Sequence, residues 1–365
     1  MSSKIGFHYG MLPFAFLYGI AIKVRNMLYD TNIIKSTQFR APVICVGNLE
    51  AGGVGKTPMV EYLIRLLQDS FRIAVVSRGY KRKSKGFVLA EANSNAQTIG
   101  DEAFQIKTKF PGIIVAVDRN RCRAISKLLE MNEAERPQVI LLDDAFQHRR
   151  LTPSLSILLT DHNRLYYKDK LLPVGRLREF TVAIRRAQIV ITTKCDPALK
   201  PIDCRIISNE MRLLAYQSLY FSCIAYQPLE SVFSHTTMTL ESIHREDEIL
   251  LVTGVANPQP LIDKIKSLSD NVEVMTFRDH HRFSKKDIRK IQATISDFKS
   301  SNPLIICTEK DGAKLRSNDL VPDELKPLFY SAPVKTEFLQ GKGEAFDKQI
   351  INHINLIEKS SILHT

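Results

Sequence analysis

The sequence predicts an α/β fold: a mostly parallel sheet covered by helices, a second and smaller α/β lobe, and a separate N-terminal apolar helix. Three observations predict it. Short apolar runs alternate with helix-spaced runs from residue 42 onward, the pattern starts afresh after about residue 215, and an uncharged apolar stretch precedes both.

The apolar stretch is Met11 to Ile22, MLPFAFLYGIAI, followed at once by Lys23 and Arg25. As a helix its twelve residues span roughly 18 Å, short of a ~30 Å hydrocarbon core. Tyr9 and Tyr18 add amphipathic rings beside Phe14 and Phe16. The expectation is a helix lying in a membrane interface, its cations facing anionic headgroups. A signal peptide or a buried core helix has a similar composition.

In the main body, Pro42 to Val46, Ile73 to Ser77, Ile113 to Val117, Val139 to Asp143, Ser156 to Thr160 and Ile189 to Thr193 read as strands. Helical spacing falls over Thr57 to Leu67, from about Asp101, and over Arg119 to Met131. The second lobe shows strands at Ser218 to Ala225, Ile249 to Val252, Val272 to Thr276 and Leu304 to Thr308, with a helix at Ser284 to Phe298. Phe346 to Ile357 reads as a terminal helix. The expected divisions are 1–35, 36–215, 216–345 and 346–365.

Between the first strand and its helix stands AGGVGKT, residues 51 to 57. Gly52, Gly53 and Gly55 let the backbone curl so that successive N–H groups face one anion. Lys56 supplies a mobile cation, Thr57 a hydroxyl for Mg²⁺, and the helix N-terminus its dipole. The strand Val139 to Asp144, VILLDD, ends in two acids placed to hold that metal. Strand, loop and helix in this order read as a P-loop NTPase-like fold. Glu50 stands where the general pattern has glycine, so the loop is closer to a GGxGKT variant. A nucleotide requirement places the chain in the cytosol.

Further segments join these two. DDAFQHRRL (143–151), VGNLEAGGVGKTP (46–58), SRGY (77–80), GDE (100–102), LLPVGRLRE (171–179), TGVANP (253–258), DHHRF (279–283) and TEKD (308–311) occur in this order. Together they resemble the signatures of the tetraacyldisaccharide 4'-kinases of lipid A biosynthesis, over most of the chain. Ala145 and Lys81 stand where that family commonly has glycine, and Arg176 where it often has proline.

The resemblance implies transfer of the ATP γ-phosphate to the 4'-hydroxyl of an acylated glucosamine disaccharide 1-phosphate, with Mg²⁺, at the cytoplasmic face of the bacterial inner membrane. Gly52, Gly53, Val54, Gly55, Lys56, Thr57 and Pro58 would bind nucleotide. Thr57, Asp143, Asp144 and Glu102 would serve the metal. By similarity Asp101 is the base, oriented by His280. His148, Arg78, Tyr80, Arg178 and Glu179 would support the site near substrate or phosphate. The residues alone leave alternatives: Asp101 as a helix cap, His280 as a loop histidine with His281 beside it, and the arginines as ordinary ion pairs.

Lys plus Arg number 51 against 39 Asp plus Glu, an excess that attracts phosphates or an acidic membrane. The basic residues are spread out, apart from Arg78 to Lys85, and neither a zinc finger nor an aromatic RNA-binding box is present, so nucleic acid is not expected. No obligate protein partner is evident. The six cysteines form no CxxC pair and read as buried thiols. TKCD at 193–196 resembles the guanine-reading NKxD of GTPases, in conflict with ATP. The rival readings are a membrane-associated P-loop switch ATPase or GTPase of the partitioning type, and a nucleotide-gated binding module.

Overall fold

The computed structural model describes residues 6–279, 281–300, 303–316 and 320–362. Among the described residues the strands are β1 (Val43–Asn48), β2 (Ile73–Ser77), β3 (Val88–Leu89), β4 (Ile114–Val117), β5 (Val139–Asp143), β6 (Leu155–Asp161), β7 (Ile189–Thr193), β8 (Ser218–Tyr226), β9 (Leu229–Ser231), β10 (Thr237–Met238), β11 (Glu248–Thr253), β12 (Asn271–Thr276), β13 (Leu304–Thr308), β14 (Phe329–Ala332) and β15 (Val334–Phe338). The helices are α1 (Leu12–Asp30), α2 (Lys56–Leu67), α3 (Ala96–Ile99), α4 (Asp101–Lys109), α5 (Arg121–Leu129), α6 (Pro201–Met211), α7 (Gln259–Lys266), α8 (Lys285–Ser296), α9 (Glu309–Arg316) and α10 (Gly343–Ile362).

The larger sheet has the order β15-β8-β7-β6-β1-β5-β2-β4-β3, parallel except at its two edge strands β15 and β3. Strands β1, β2, β5 and β7 are buried throughout, as their continuous apolar runs require of a sheet covered on both faces. Residues of α2, α4 and α10 fill one face, and those of α5 and α6 the other. The smaller sheet, β10-β9-β14-β13-β11-β12, is parallel over its last four strands and has its own two cores.

The lobes are interleaved differently from the division expected at 215/216. Strand β8 extends the larger sheet, and the chain returns to it through β15 after building the smaller lobe. Helix α10 then packs Phe346, Ile350 and Ile354 into the larger core. Two crossings near Gln227 and Pro333 therefore join the lobes. Local apolar patterning marks β8 as a strand but carries no information on which sheet it pairs with.

Helix α1 has nineteen residues, longer than the twelve-residue apolar run. Ala15, Gly19 and Ile22 face the body, and Gly19 lies against the Phe180 ring and Leu171. Phe14, Phe16, Leu17, Ile20, Val24 and Met27 all point outward. A soluble core helix would bury these side chains, so the burial is inverted relative to that alternative. By length and composition, Tyr9–Asp30 is also sufficient to cross a membrane.

Candidate active site

The loop after β1 begins the site. Gly52 and Gly55 have φ of 120° and 90°, a region that strains residues with a Cβ, and Gly55 caps α2. Lys56, the first residue of α2, donates from Nζ to Asn48 Oδ1 at 3.0 Å and lies 3.7 Å from Asp144 Oδ2. Arg178 reaches the same cluster, with Nη2 2.9 Å from Asp144 Oδ1 and 3.2 Å from the Asn48 carbonyl. The segment before it is sewn to the loop, since Ala51 N donates to Arg176 O and Arg178 N to Leu49 O, each at 2.7 Å.

The two strand-end acids differ. Asp143 is buried, and its Oδ1 has no hydrogen-bond partner among the described residues. Burial, then the neighbouring Asp144 charge, push its carboxyl up to about 7 against the pull of Lys56. Asp144, at φ 48°, turns the other way. Burial raises its carboxyl, but Lys56 and Arg178 outweigh it and hold it below the ordinary range. An orphaned buried carboxylate oxygen beside a lysine suits a hard cation, and the donors at hand, Asp143 and Thr57, are oxygen ligands of the kind Mg²⁺ takes. Among the described residues no cluster of three or more His, Cys, Asp or Glu could hold a metal alone.

A second motif pair meets beside this cup. A Cβ on Gly100 would lie 3.0 Å from Gly79 Cα and from the Tyr80 carbonyl. SRGY and GDE are therefore packed backbone to backbone, which brings Arg78 and Tyr80 to the start of α4. Gly100 is the N-cap and Asp101 the first helical residue, so Asp101 is not the cap. Glu102 is close enough to Asp143 to raise its carboxyl further, and lies 3.6 Å from Lys310 of the TEKD segment. Lys310 also lies 3.3 Å from Asp279. Asp311, fully buried, accepts from Gly254 N at 2.8 Å and from the Thr308 hydroxyl at 2.7 Å. In this way TGVANP, DHHRF and TEKD of the smaller lobe are gathered against α4.

The family profile described as LpxK, tetraacyldisaccharide-1-P 4'-kinase, matches residues 7–355. The chain belongs to this family. The tetraacyldisaccharide 4'-kinase of Parabacteroides distasonis is 48% identical over 353 residues, covering 96% of each chain. That of Bacteroides thetaiotaomicron is 46% identical over 358 residues, covering 96% of this chain and 94% of the other. A crystal structure of LpxK from Aquifex aeolicus in complex with ATP superposes with a TM-score of 0.72 at 28% identity, covering 95% of this chain and 98% of that one.

Not every residue singled out in this 4'-kinase family member joins the cup. Glu179 is fully buried away from it, with Arg25 Nη2 at 2.9 Å and Arg186 Nη2 at 2.6 Å. Tyr18 of α1 donates to the Arg178 carbonyl at 2.8 Å, so Glu179 and its neighbour moor α1 to the body. Glu179→Ala would strand the Arg186 guanidinium. A loss of about 3 kcal/mol in unfolding free energy is expected, with earlier proteolysis near residue 30; unchanged melting would refute the mooring role. His280 lies outside the described residues. Its neighbour His281 is stacked on Phe277 at 4.6 Å and sits 3.0 Å from Asp287, which caps α8 with Ser284. His148 is kept neutral, lowered to about 4 by burial and then by Arg121.

Sequence reasoning missed Asn48, Arg121 and Glu50. Asn48 holds Lys56 and Arg178 together. Arg121 is buried, and its Nη2 faces the Asp144 carbonyl at 3.5 Å. Glu50 accepts from the Thr160 hydroxyl at 2.7 Å, and burial raises its carboxyl from 4.5 to about 7. The folded protein thus holds the Glu50 proton more tightly than the unfolded chain. The stability this contributes is complete below pH 4.5 and is lost as pH rises through about 7. Glu50→Gln is expected to make melting temperature fall less steeply over that window in metal-free buffer. Asp143 keeps a slope of the same sign, and an unaltered slope would contradict the reading.

Proposed function

We propose that this chain is the ATP-dependent kinase that phosphorylates the 4'-hydroxyl of a tetraacyl glucosamine disaccharide 1-phosphate, a late step of lipid A biosynthesis. Family membership over nearly the whole chain carries the activity. The observation that carries the site is the convergence of Lys56, Asn48, Arg178 and the Asp143–Asp144 pair at the mouth of the glycine loop.

Phosphoryl transfer needs alignment and charge neutralisation more than covalent chemistry. The amides of 52–57, Lys56 and the α2 N-terminus bind and orient the triphosphate. Mg²⁺, when bound by Thr57 and Asp143, would neutralise phosphate charge. Asp144 fixes the positions of Lys56 and Arg178. Asp101, on the adjoining helix start, accepts the proton of the acceptor hydroxyl at its carboxylate, with His280 as its partner and Glu102 on the metal side. Arg78 and Tyr80 are exposed beside it and orient the sugar.

The acceptor is an anionic lipid, and the surface suits both properties. A cavity of about 340 Å³ between α1 and the segment after Asp144 is lined by Arg25, Arg119, Arg149, Arg150 and His148, with Tyr29. It offers the guanidinium groups that a sugar phosphate would take. The outward apolar face of α1, with Lys23 after it, rests in the cytoplasmic leaflet of the inner membrane and brings the acyl chains to this cavity.

The test is transfer of labelled γ-phosphate from ATP to acylated disaccharide 1-phosphate in detergent, with the position on the product determined. Label at the 4'-oxygen is expected. Acceptor-independent hydrolysis without transfer would favour the switch reading instead, and binding with neither would favour the gated module.

A further inference from the structure

The TKCD element at the end of β7 has no part in the account above. Its contacts lead to the phosphate loop. Lys194 takes a left-handed conformation, φ 56°, and its ammonium donates to the Gly53 carbonyl and to Asp161 Oδ2 at 2.7 Å. Asp161 is itself fixed at the end of the adjacent strand β6, where its Oδ1 accepts from Asn163 N at 2.9 Å. Thr193 Oγ1 lies 2.7 Å from the next carbonyl, that of Val54, and its Cβ is 3.8 Å from where a Gly55 Cβ would stand. Two consecutive loop carbonyls are therefore held by donors from the last residue of β7 and the residue after it.

A phosphate-binding loop works when its N–H groups face inward and its carbonyls outward. A Gly-rich segment has little intrinsic preference between that arrangement and one with a flipped peptide. Holding the Gly53 and Val54 carbonyls from outside removes the flipped arrangements before nucleotide arrives, which lowers the ordering cost of binding. Asp196, the position that reads guanine in NKxD, accepts from Ala198 N at 2.8 Å and closes its own turn.

We propose that Lys194, clamped by Asp161 and seconded by Thr193, is a positioning residue that pre-sets the phosphate loop, and that TKCD serves the phosphates rather than the base. This rests on the reading of residues 52–57 as a triphosphate cup.

The test compares wild type with Lys194→Met, Lys194→Arg, Asp161→Asn and Asp196→Ala. Mg-ATP, Mg-ADP and adenosine binding, and KM for ATP and for the acceptor, are measured on the full chain. One charge-assisted hydrogen bond is worth roughly 10-fold or more in affinity. Lys194→Met should weaken Mg-ATP and Mg-ADP by about that factor and raise the ATP KM in parallel. Adenosine affinity and acceptor KM should stay put. Lys194→Arg should restore most of the loss, Asp161→Asn should show the same pattern more weakly, and Asp196→Ala should bind ATP over GTP as wild type does. The proposal is overturned if Lys194→Met binds Mg-ADP like wild type, if adenosine is lost equally, or if Asp196→Ala changes the base preference. Should Lys194→Met show no melting transition, Asp161→Asn decides alone, and wild-type Mg-ADP affinity there overturns the proposal. A wild type that binds no Mg-ATP would sink the cup itself rather than the brace.

Discussion

Replacing Lys56 with methionine is expected to remove phosphoryl transfer and to weaken Mg-ATP binding, with little change in folding. Its ammonium is the only side-chain cation supplied from within the glycine loop. In the structure it rests on Asn48 and near Asp144 rather than in a hydrophobic setting. Losing a charged hydrogen bond to phosphate costs about 1.5–3 kcal/mol in the ground state. The loss is greater where charge develops, and removing one electrostatic donor typically lowers turnover by roughly 10²–10³. Stability should hold because Asp144 keeps its two-pronged contact with Arg178. The check is turnover with saturating acceptor beside a thermal melt; turnover within about threefold of wild type would contradict the role, being far less than the loss of one donor.

Asp101→Asn should separate chemistry from nucleotide binding. A positioned base contributes on the order of 10²–10⁴ to rate. Its loss is expected in kcat with acceptor present, while Mg-ATP affinity stays near wild type. Asp101 occupies the first position of α4 and Gly100 the cap, where its charge meets the helix dipole, an interaction of about 0.3–1 kcal/mol. Turnover down at least 100-fold with Mg-ATP affinity unchanged is the predicted pair. Near-normal turnover would return Asp101 to a purely local role at the helix start.

These predictions show which features were legible in the sequence. The glycine loop, the strand-end acids and the parallel order of the larger sheet follow from short-range patterns, because a phosphate cup and a buried strand each need particular residues in sequence. The surroundings of Glu179 were not legible in the same way. LLPVGRLRE runs beside the loop, and its Arg178 enters the cup while the next residue points away to Arg25 and Arg186. The segment is a run of turns and bends, in which no regular period says which side chain faces inward. The contact of Asn48 with Arg178, that of Arg121 with Asp144, and those of the TKCD lysine with Gly53 and Asp161 join residues 23 to 141 positions apart. The return of β15 to the larger sheet is equally non-local, since its partner β8 lies more than a hundred residues earlier.

The central claim is that the cup at 52–57 and the acids after β5 together hold a magnesium-bound triphosphate. Calorimetric titration of ATP into the purified protein, with and without Mg²⁺, tests it most directly when wild type is compared with Asp143→Asn. The account predicts saturable one-to-one binding that Mg²⁺ strengthens in wild type, and little or no Mg²⁺ enhancement in the variant. No ATP affinity in wild type, or the same Mg²⁺ enhancement in both proteins, would contradict it.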